Sequence, residues 1–397
     1  MNYDFDRLID RSGTGDVKHC KLQEFYGRSD LLPLWVADTE FETPPFITEA
    51  LRRRLEHSLF GYTVTPEALW TAVGDWLLAR HGWQVERSWL TFIPGIVKGI
   101  GLVVNCLLDP DERVIIQPPV YHPFRLVPQH NGRLVVTNPL IEERDADGAL
   151  HYRMDFNGLE TLARDPQNRL LILSNPHNPA GIVWEPETLR RVAAICAAND
   201  VLVISDEIHC DMTLFGHRHT PFATVSPEAA QCSITFGAPS KTFNIAGIVS
   251  SYAIVPNDSL RRRFYGWLDA NEFADPHLFA PIATIAAFSP EGEEWRQQMV
   301  RYVEGNVQFV EDFCREQLPQ IRPVRPEASY LVWLDCRALG LEHDALTDLF
   351  VNRARLALND GEMFGSEGRG FMRLNVGCPR SLLQQAMEQL RAAICVK

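Results

Sequence analysis

In "FGAPSKTFNIAG", residues 236–247, a single lysine, Lys241, sits among small and hydroxylated neighbours between two apolar segments. An amine that burial relieves of its charge is both a base and a nucleophile. Upstream, "ISDEIH" closes a very apolar run on Asp206, where an ionised carboxylate is costly unless something pairs with it. The turn "IPGIVKG" presents consecutive backbone N–H groups around Ile96 and Val97 at the start of a helical pattern, a ready place for an anion. "SNPHNPAG" contributes the amides of Asn175 and Asn178, and "PVYHPF" the ring of Tyr121. Each feature also has an ordinary reading by itself. Lys241 reads as a surface lysine, Gly95 as a tight turn, Asp206 as a cap or local ion pair, the asparagines as caps and Tyr121 as a core aromatic.

Together these residues meet the needs of one cofactor. Pyridoxal 5'-phosphate requires a lysine for its Schiff base, an acidic partner for its pyridine nitrogen and an anion site for its phosphate. Lys241, Asp206 and the turn from Gly95 to Val97 supply them, with Tyr121 to stack on the ring, Asn178 to donate to its phenolic oxygen and Ser240 to add a phosphate contact.

The elements that must position them follow a repeated pattern: a short apolar run, a turn rich in Pro, Gly or Asn, then a segment with helical spacing. That alternation predicts an α/β domain with a mainly parallel sheet. The runs are "WLTFI" (89–93), "RVII" (113–116), "RLLILS" (169–174), "VLVIS" (201–205) and "SITF" (233–236). Each is followed at once by one of the polar turns, and ligands of open α/β sheets bind beyond the carboxyl ends of the strands. After about residue 285 the texture changes to long amphipathic helices and then the strand-like "YLVWLD" and "FMRLNV". The expected division is a large cofactor-binding domain over 46–284 and a small α+β domain built from 1–45 and 285–397.

Composition bounds the alternatives. The 397 residues are 46% apolar and 22% charged, as in an ordinary globular enzyme, and a net charge of −13 leaves no electrostatic footprint for nucleic acid or an anionic membrane. "MNYDFDRLIDRSG" lacks the basic start and apolar core of a secretory signal, and Lys98 and Asn105 interrupt the longest apolar stretch, so no export and no membrane span are expected. Nine cysteines without a C-x-x-C pair fit neither a disulfide framework nor a zinc module, which points to a reducing cytoplasm. His209, Cys210, Asp211, His217 and His219 are of ligand types, yet their spacing fits no recurrent metal motif and no metal is expected.

"SNPHNPAG", "ISDEIH" and "SKTFN", in this order and separation, resemble the fold-type I pyridoxal-phosphate enzymes of the aspartate aminotransferase superfamily, over nearly the whole chain. More narrowly, "LPLWVADTEF", "FGYT", "DEIHCDM", "SKTFNIAG" and "ALNDGEMFGSEGRGFMRLNVGCPR" are similar to the MalY/PatB group of cystathionine β-lyase-like C–S lyases. The resemblance implies a three-layer, aspartate aminotransferase-like large domain with a smaller α+β domain. It implies that Lys241 carries the cofactor and takes the substrate's Cα proton, Asp206 pairs with the pyridine nitrogen, Asn178 contacts the 3′-oxygen and Tyr121 stacks on the ring beside the reacting centre. Arg373, in "FMRLN", would grip the substrate α-carboxylate, and His209 stands where many aminotransferases place a ring-contacting tyrosine. Tyr62, in "FGYT", would reach the phosphate in the neighbouring subunit, which implies a homodimer.

Two departures bear on the reaction. Val249 occupies the position where general aminotransferases of this fold carry a phosphate-binding arginine, and Ala238 a position that is often a phosphate-binding serine. Ser240, Tyr62 and backbone N–H groups must then hold more of the anion. The implied activity is cleavage of L-cystathionine or a related cysteine S-conjugate to a thiol, pyruvate and ammonia. An aminotransferase of L-amino acids would use the same residues, and MalY-like proteins also allow a regulatory binding role on this scaffold. Trp35, Asp38, Tyr330 and the "NDGEMFG" loop are candidates for side-chain specificity, each equally readable as core or turn.

Overall fold

The computed structural model describes residues 2–146 and 148–395. Strands covered on both faces read as nearly continuous apolar runs, and here such runs become the inner strands of a seven-stranded sheet. Its strands are β1 (Leu90–Ile93), β2 (Arg113–Ile116), β3 (Leu134–Thr137), β4 (Asn168–Ser174), β5 (Leu202–Asp206), β6 (Ser233–Gly237) and β7 (Ser251–Ile254). Across the sheet the order is β1-β7-β6-β5-β4-β2-β3. Every neighbouring pair is parallel except those made by β7, which runs antiparallel to both β6 and β1. The sheet is therefore mixed and mostly parallel. Strand β7 follows the lysine turn directly and carries no flanking pattern that marks it in the sequence.

Helices pack against this sheet and a second one: α1 (Glu67–His81), α2 (Ile96–Leu107), α3 (Pro186–Ala198) and α4 (Pro290–Gln317). Helix α2 buries Ile96, Ile100, Val103, Val104 and Leu107, the spacing of one helical face. Burying each of these side chains is worth about 1.5–3 kcal/mol before entropy is counted. A Cβ on Gly99 would lie 2.7 Å from Ile93 and 3.2 Å from Phe236, so only glycine lets α2 settle this closely on β1 and β6. The same contact brings the amino end of α2 to the carboxyl edge of the sheet. Gly95, the residue before that helix, has φ +107°, a conformation that glycine tolerates and other residues resist.

Helix α4 begins on an N-cap in which Ser289 accepts the Gly292 N–H at 3.1 Å, with Pro290 in the first turn and Glu291 and Glu293 on the positive end of the helix. Beyond it lies a four-stranded antiparallel sheet of β8 (Arg322–Val324), β9 (Leu331–Asp335), β10 (Asn359–Asp360) and β11 (Phe371–Asn375), in the order β8-β9-β11-β10. The N-terminal segment joins this part of the chain, where Leu32 and Pro33 pair in parallel with Leu356 and Ala357. Among the described residues, no helix is long and apolar enough to cross a membrane.

Candidate active site

The strand ends converge on one cavity of about 280 Å³. It brings together Ile96 and Val97 from the start of α2, Tyr121 after β2, Asn178 after β4, Asp206 and His209 at and beyond the end of β5, and Ser240 and Lys241 after β6. The N–H groups in the first turn of α2 have no carbonyl four residues earlier in the helix to bond, and they face an anion position at the positive end of the helix dipole.

Lys241 is half-buried, and its Nζ donates to the carbonyl of Ala37 at 2.6 Å. The Tyr330 hydroxyl donates to the same oxygen at 2.9 Å. Burial lowers the lysine pKa from 10.5 to about 8, against the pull of Asp38 and Asp206, so the neutral amine is within easy reach near neutral pH. Ala37 belongs to an N-terminal strap held from two sides. Asn375 donates to the carbonyls of Val36 and Asp38 at 2.7 and 2.6 Å, while Asn244, three residues after the lysine, donates to those of Thr39 and Phe41 at 3.0 and 2.8 Å.

A depressed lysine pKa makes stability depend on pH. The unfolded chain binds a proton on this lysine up to pH 10.5, whereas the folded, cofactor-free protein releases it from about pH 8. Stability of the cofactor-free protein is therefore expected to rise between pH 8 and 10.5. Urea unfolding of wild type and Lys241→Met across that window checks this: the variant should lack the rise.

Asp206 is buried, and its carboxylate accepts the Ile208 N–H at 3.1 Å. No cation lies within ion-pair distance of it among the described residues. Desolvation consequently raises its pKa from 3.8 to about 7. A pyridinium N–H in the cavity would provide the missing counter-charge, which is the fit that pyridoxal phosphate requires. Two further buried polar atoms have no hydrogen-bond partner here, Nδ1 of His209 and Nε of Arg373.

Arg373 stands on β11 behind Asn178. Its Nη1 donates to Asn178 Oδ1 at 2.9 Å, and its Nη2 to the Trp35 carbonyl at 3.1 Å and to Asn359 Oδ1 at 2.5 Å. All three acceptors are neutral, and burial presses the guanidinium pKa from 12.5 down to about 10. A buried cation without a carboxylate is prepared to receive one from a ligand. The bond to Asn178 also engages that side chain's oxygen and leaves its amide hydrogens for the cavity. Phe364 lies under the guanidinium at 4.8 Å.

The remaining predicted residues are divided among the cavity, the core and the surface. Tyr121 is half-buried, with its phenol pKa raised by desolvation, and its backbone N–H donates to the Asn178 carbonyl at 3.1 Å. His209 is held neutral, its pKa lowered to about 3 by burial and then by Lys241 and Arg373. Val249 lines the cavity as an apolar wall, whereas Ala238 is packed into the core beneath the sheet and faces no ligand space. Tyr62 lies apart from the cavity of its own chain and is fully exposed. The His/Cys/Asp cluster considered for metal does not assemble as one site. His209 faces the cavity, His217 lies near Glu327, His219 bonds Glu207, and Cys210 and Asp211 group instead with His81.

Several participants lack a sequence signal. The Ala37 and Trp35 carbonyls are backbone atoms, Asn359 meets Arg373 through the cross-strand pairing of β10 with β11, and Ser174 and Ser251 line the cavity from ordinary strand positions, with Ser250 just before β7. Asn359 was readable only as part of the loop "NDGEMFG".

A mostly parallel sheet that carries a lysine, a carboxylate and a helix amino end at its carboxyl edge defines a class, and the comparison with known proteins agrees. The aminotransferase class I and II family model matches residues 29–390, and the chain belongs to that family. Within it the chain is 42% identical to cystathionine beta-lyase PatB of Bacillus subtilis (strain 168) over 390 residues, covering 98% of this chain and 99% of that protein. Among solved structures it is similar to cystalysin of Treponema denticola, which contains a pyridoxal 5'-phosphate cofactor, with a TM-score of 0.93, 33% identity and 99% of both chains covered. The pyridoxal-phosphate-bound C–S lyase from Staphylococcus hominis matches with a TM-score of 0.91 and 33% identity, over 100% of this chain and 99% of that one. The architecture is the fold-type I, aspartate aminotransferase-like fold implied by the sequence motifs.

Proposed function

We propose that this chain is a pyridoxal-phosphate-dependent C–S β-lyase that cleaves L-cystathionine or a related cysteine S-conjugate to a thiol, pyruvate and ammonia. One observation carries the reading: a single cavity holds an amine with a depressed pKa, a carboxylate lacking a counter-charge and, behind it, an arginine lacking one too. Bound pyridoxal phosphate supplies the electron sink that makes the substrate's Cα proton removable. Lys241 is the covalent attachment point and, as a neutral amine, the base that takes that proton. Asp206 balances the positive pyridine nitrogen, Tyr121 covers the ring and stands by the reacting centre, and the Asn178 amide donates to the ring oxygen. The α2 amino end at Ile96 and Val97, with Ser240, would hold the phosphate where Val249 leaves no arginine to do so, and His209 would contact the ring as a neutral group.

Arg373 orients the substrate by its carboxylate. Arg373→Lys loses the forked geometry and strands Asn178 and Asn359, so KM for the amino acid is expected to rise about a hundred-fold with a visible cofactor band still present. Steady-state kinetics beside an absorbance scan check the pair of outcomes.

The reaction itself is tested by supplying L-cystathionine with no 2-oxo acid. Pyruvate should accumulate stoichiometrically with thiol. A requirement for a 2-oxo acid would make the protein an aminotransferase, and no thiol from any cysteine S-conjugate would end the lyase reading.

The same proposal includes a homodimer in the cytoplasm, built from a large domain over 46–284 and a small one from 1–45 and 285–397. In support of the division, the seven-stranded sheet lies wholly between residues 90 and 254 and the four-stranded one between 322 and 375. In support of the dimer, Leu55, Leu59, Phe60, Tyr62 and Val64 form one exposed apolar stretch that water alone does not favour. The partner subunit's Tyr62 then completes the phosphate site. Sedimentation should give twice the 45.0 kDa chain mass. Tyr62→Phe should keep the dimer and weaken cofactor retention roughly ten-fold, the value of one hydrogen bond to a charged group.

A further inference from the structure

A second cleft, of about 830 Å³, opens between the carboxyl end of α1, residues 210–219 and α4, and shares no lining residue with the cofactor cavity. Its volume is that of a small-molecule site. Although the chain carries a net charge of −13, this cleft is lined by Arg80, Arg218, Arg296 and Arg301, with Glu304 as its one carboxylate. Glu304 is already engaged by the Phe215 N–H at 2.6 Å. Arg80 and Arg296 both lean on Glu293, at 3.4 and 2.7 Å. Arg218 and Arg301 have no ion-pair or hydrogen-bond partner among the described residues. An acidic protein that keeps two unpaired guanidiniums in one concavity presents a local field of the opposite sign to its surface, suited to a dianion.

Two buried polar atoms of lining residues also make no hydrogen bond, Nε of Arg80 and Nδ1 of His219. The His219 side chain is fully buried and its Nε2 is spent on Glu207 Oε2 at 2.8 Å. Donation through Nε2–H leaves Nδ1 as a bare acceptor, which takes a hydroxyl rather than an anionic oxygen. His81 and Cys210, which line the cleft, have ligand atoms within 4.8 Å of each other and of the carboxylate of Asp211, which lies behind the lining. A dication is disfavoured there, because the Asp211 oxygens already accept from Trp76 at 3.0 Å and His81 at 3.1 Å, and Arg80 lies 3.9 Å away.

We propose that this cleft is a second binding site, for a hydroxyl-bearing phosphate monoester of the sugar-phosphate type, with Arg218 and Arg301 on the phosphate and Nδ1 of His219 on a hydroxyl. A phosphate monoester brings nearly two negative charges and three acceptor oxygens, which two forked donors match better than they match a single carboxylate.

Calorimetric titration of the holoenzyme tests it, with ribose 5-phosphate, inorganic phosphate and ribose as probes at matched ionic strength. The bound cofactor already fills the active-site phosphate position, so the titration reads the second cleft. Ribose 5-phosphate is expected to bind saturably, one per chain, more tightly than inorganic phosphate, and ribose not at all. Both arginines are exposed, so an Arg218→Ala, Arg301→Ala double variant should fold and keep its visible band while affinity falls roughly a hundred-fold. Unchanged affinity in that variant, or no saturable binding, would overturn the site. Equal affinity for inorganic phosphate would overturn the hydroxyl contact, and stoichiometric zinc released by Cys210→Ser would replace the anion site with a metal site.

Discussion

Lys241→Ala is expected to yield a folded protein with no visible absorption band and pyruvate formation reduced by about 10⁴-fold or more, because one amine both anchors the cofactor and moves the proton. The fold should survive. The Ala37 carbonyl keeps the Tyr330 hydroxyl as a donor, and the substitution removes an amine whose burial already costs stability. A small primary amine added in solution should recover part of the proton transfer. A variant that retained the wild-type band would show that another group carries the cofactor.

Asp206→Asn should move activity and stability in opposite directions. With the cofactor bound, an amide cannot balance a positive ring nitrogen, and turnover should fall roughly 10²- to 10³-fold, the scale of removing one preorganised electrostatic contact. Without the cofactor the sign reverses. The folded protein holds the Asp206 proton up to about pH 7 while the unfolded chain releases it near 3.8, so wild type loses stability as pH rises through that window. Asparagine has nothing to ionise, and its carbonyl oxygen can still accept the Ile208 N–H. The cofactor-free variant should therefore be the more stable at pH 8, by up to about 4 kcal/mol, with the difference vanishing below pH 4. Urea unfolding at both pH values measures it. A less stable variant at pH 8 would mean that the carboxylate already has a partner and is not awaiting one.

The residues legible in the sequence were those whose chemistry is carried by a side chain in a local motif. Lys241, Asp206 and Asn178 each follow an apolar run, and the run fixes where the strand ends and hence where the side chain emerges. Helix α2 was legible for the same reason, since Gly95 and the spacing of its apolar residues define both its start and its buried face. What escaped was set by partners distant in the chain. Asn359 reaches Arg373 through strand register, which periodicity does not encode across a loop. The grouping of Asp211 with His81 joins residues on a helix and a loop 130 positions apart, so neighbours in sequence, His209 and His217, were the wrong ones to group with it. Strand β7 escaped because it reverses direction inside a parallel sheet.

The strap at residues 36–41 gives the beginning of the chain authority over its middle. The Lys241 amine has its acceptor on Ala37, 204 residues away, and the strap around that carbonyl is held by Asn375 and by Asn244 of the lysine's own turn, through the carbonyls of Val36 and Asp38 and of Thr39 and Phe41. Shortening or restraining the N-terminus is thus an active-site perturbation in disguise. A truncation that spared every side chain touching the cofactor would still change the basicity of the lysine.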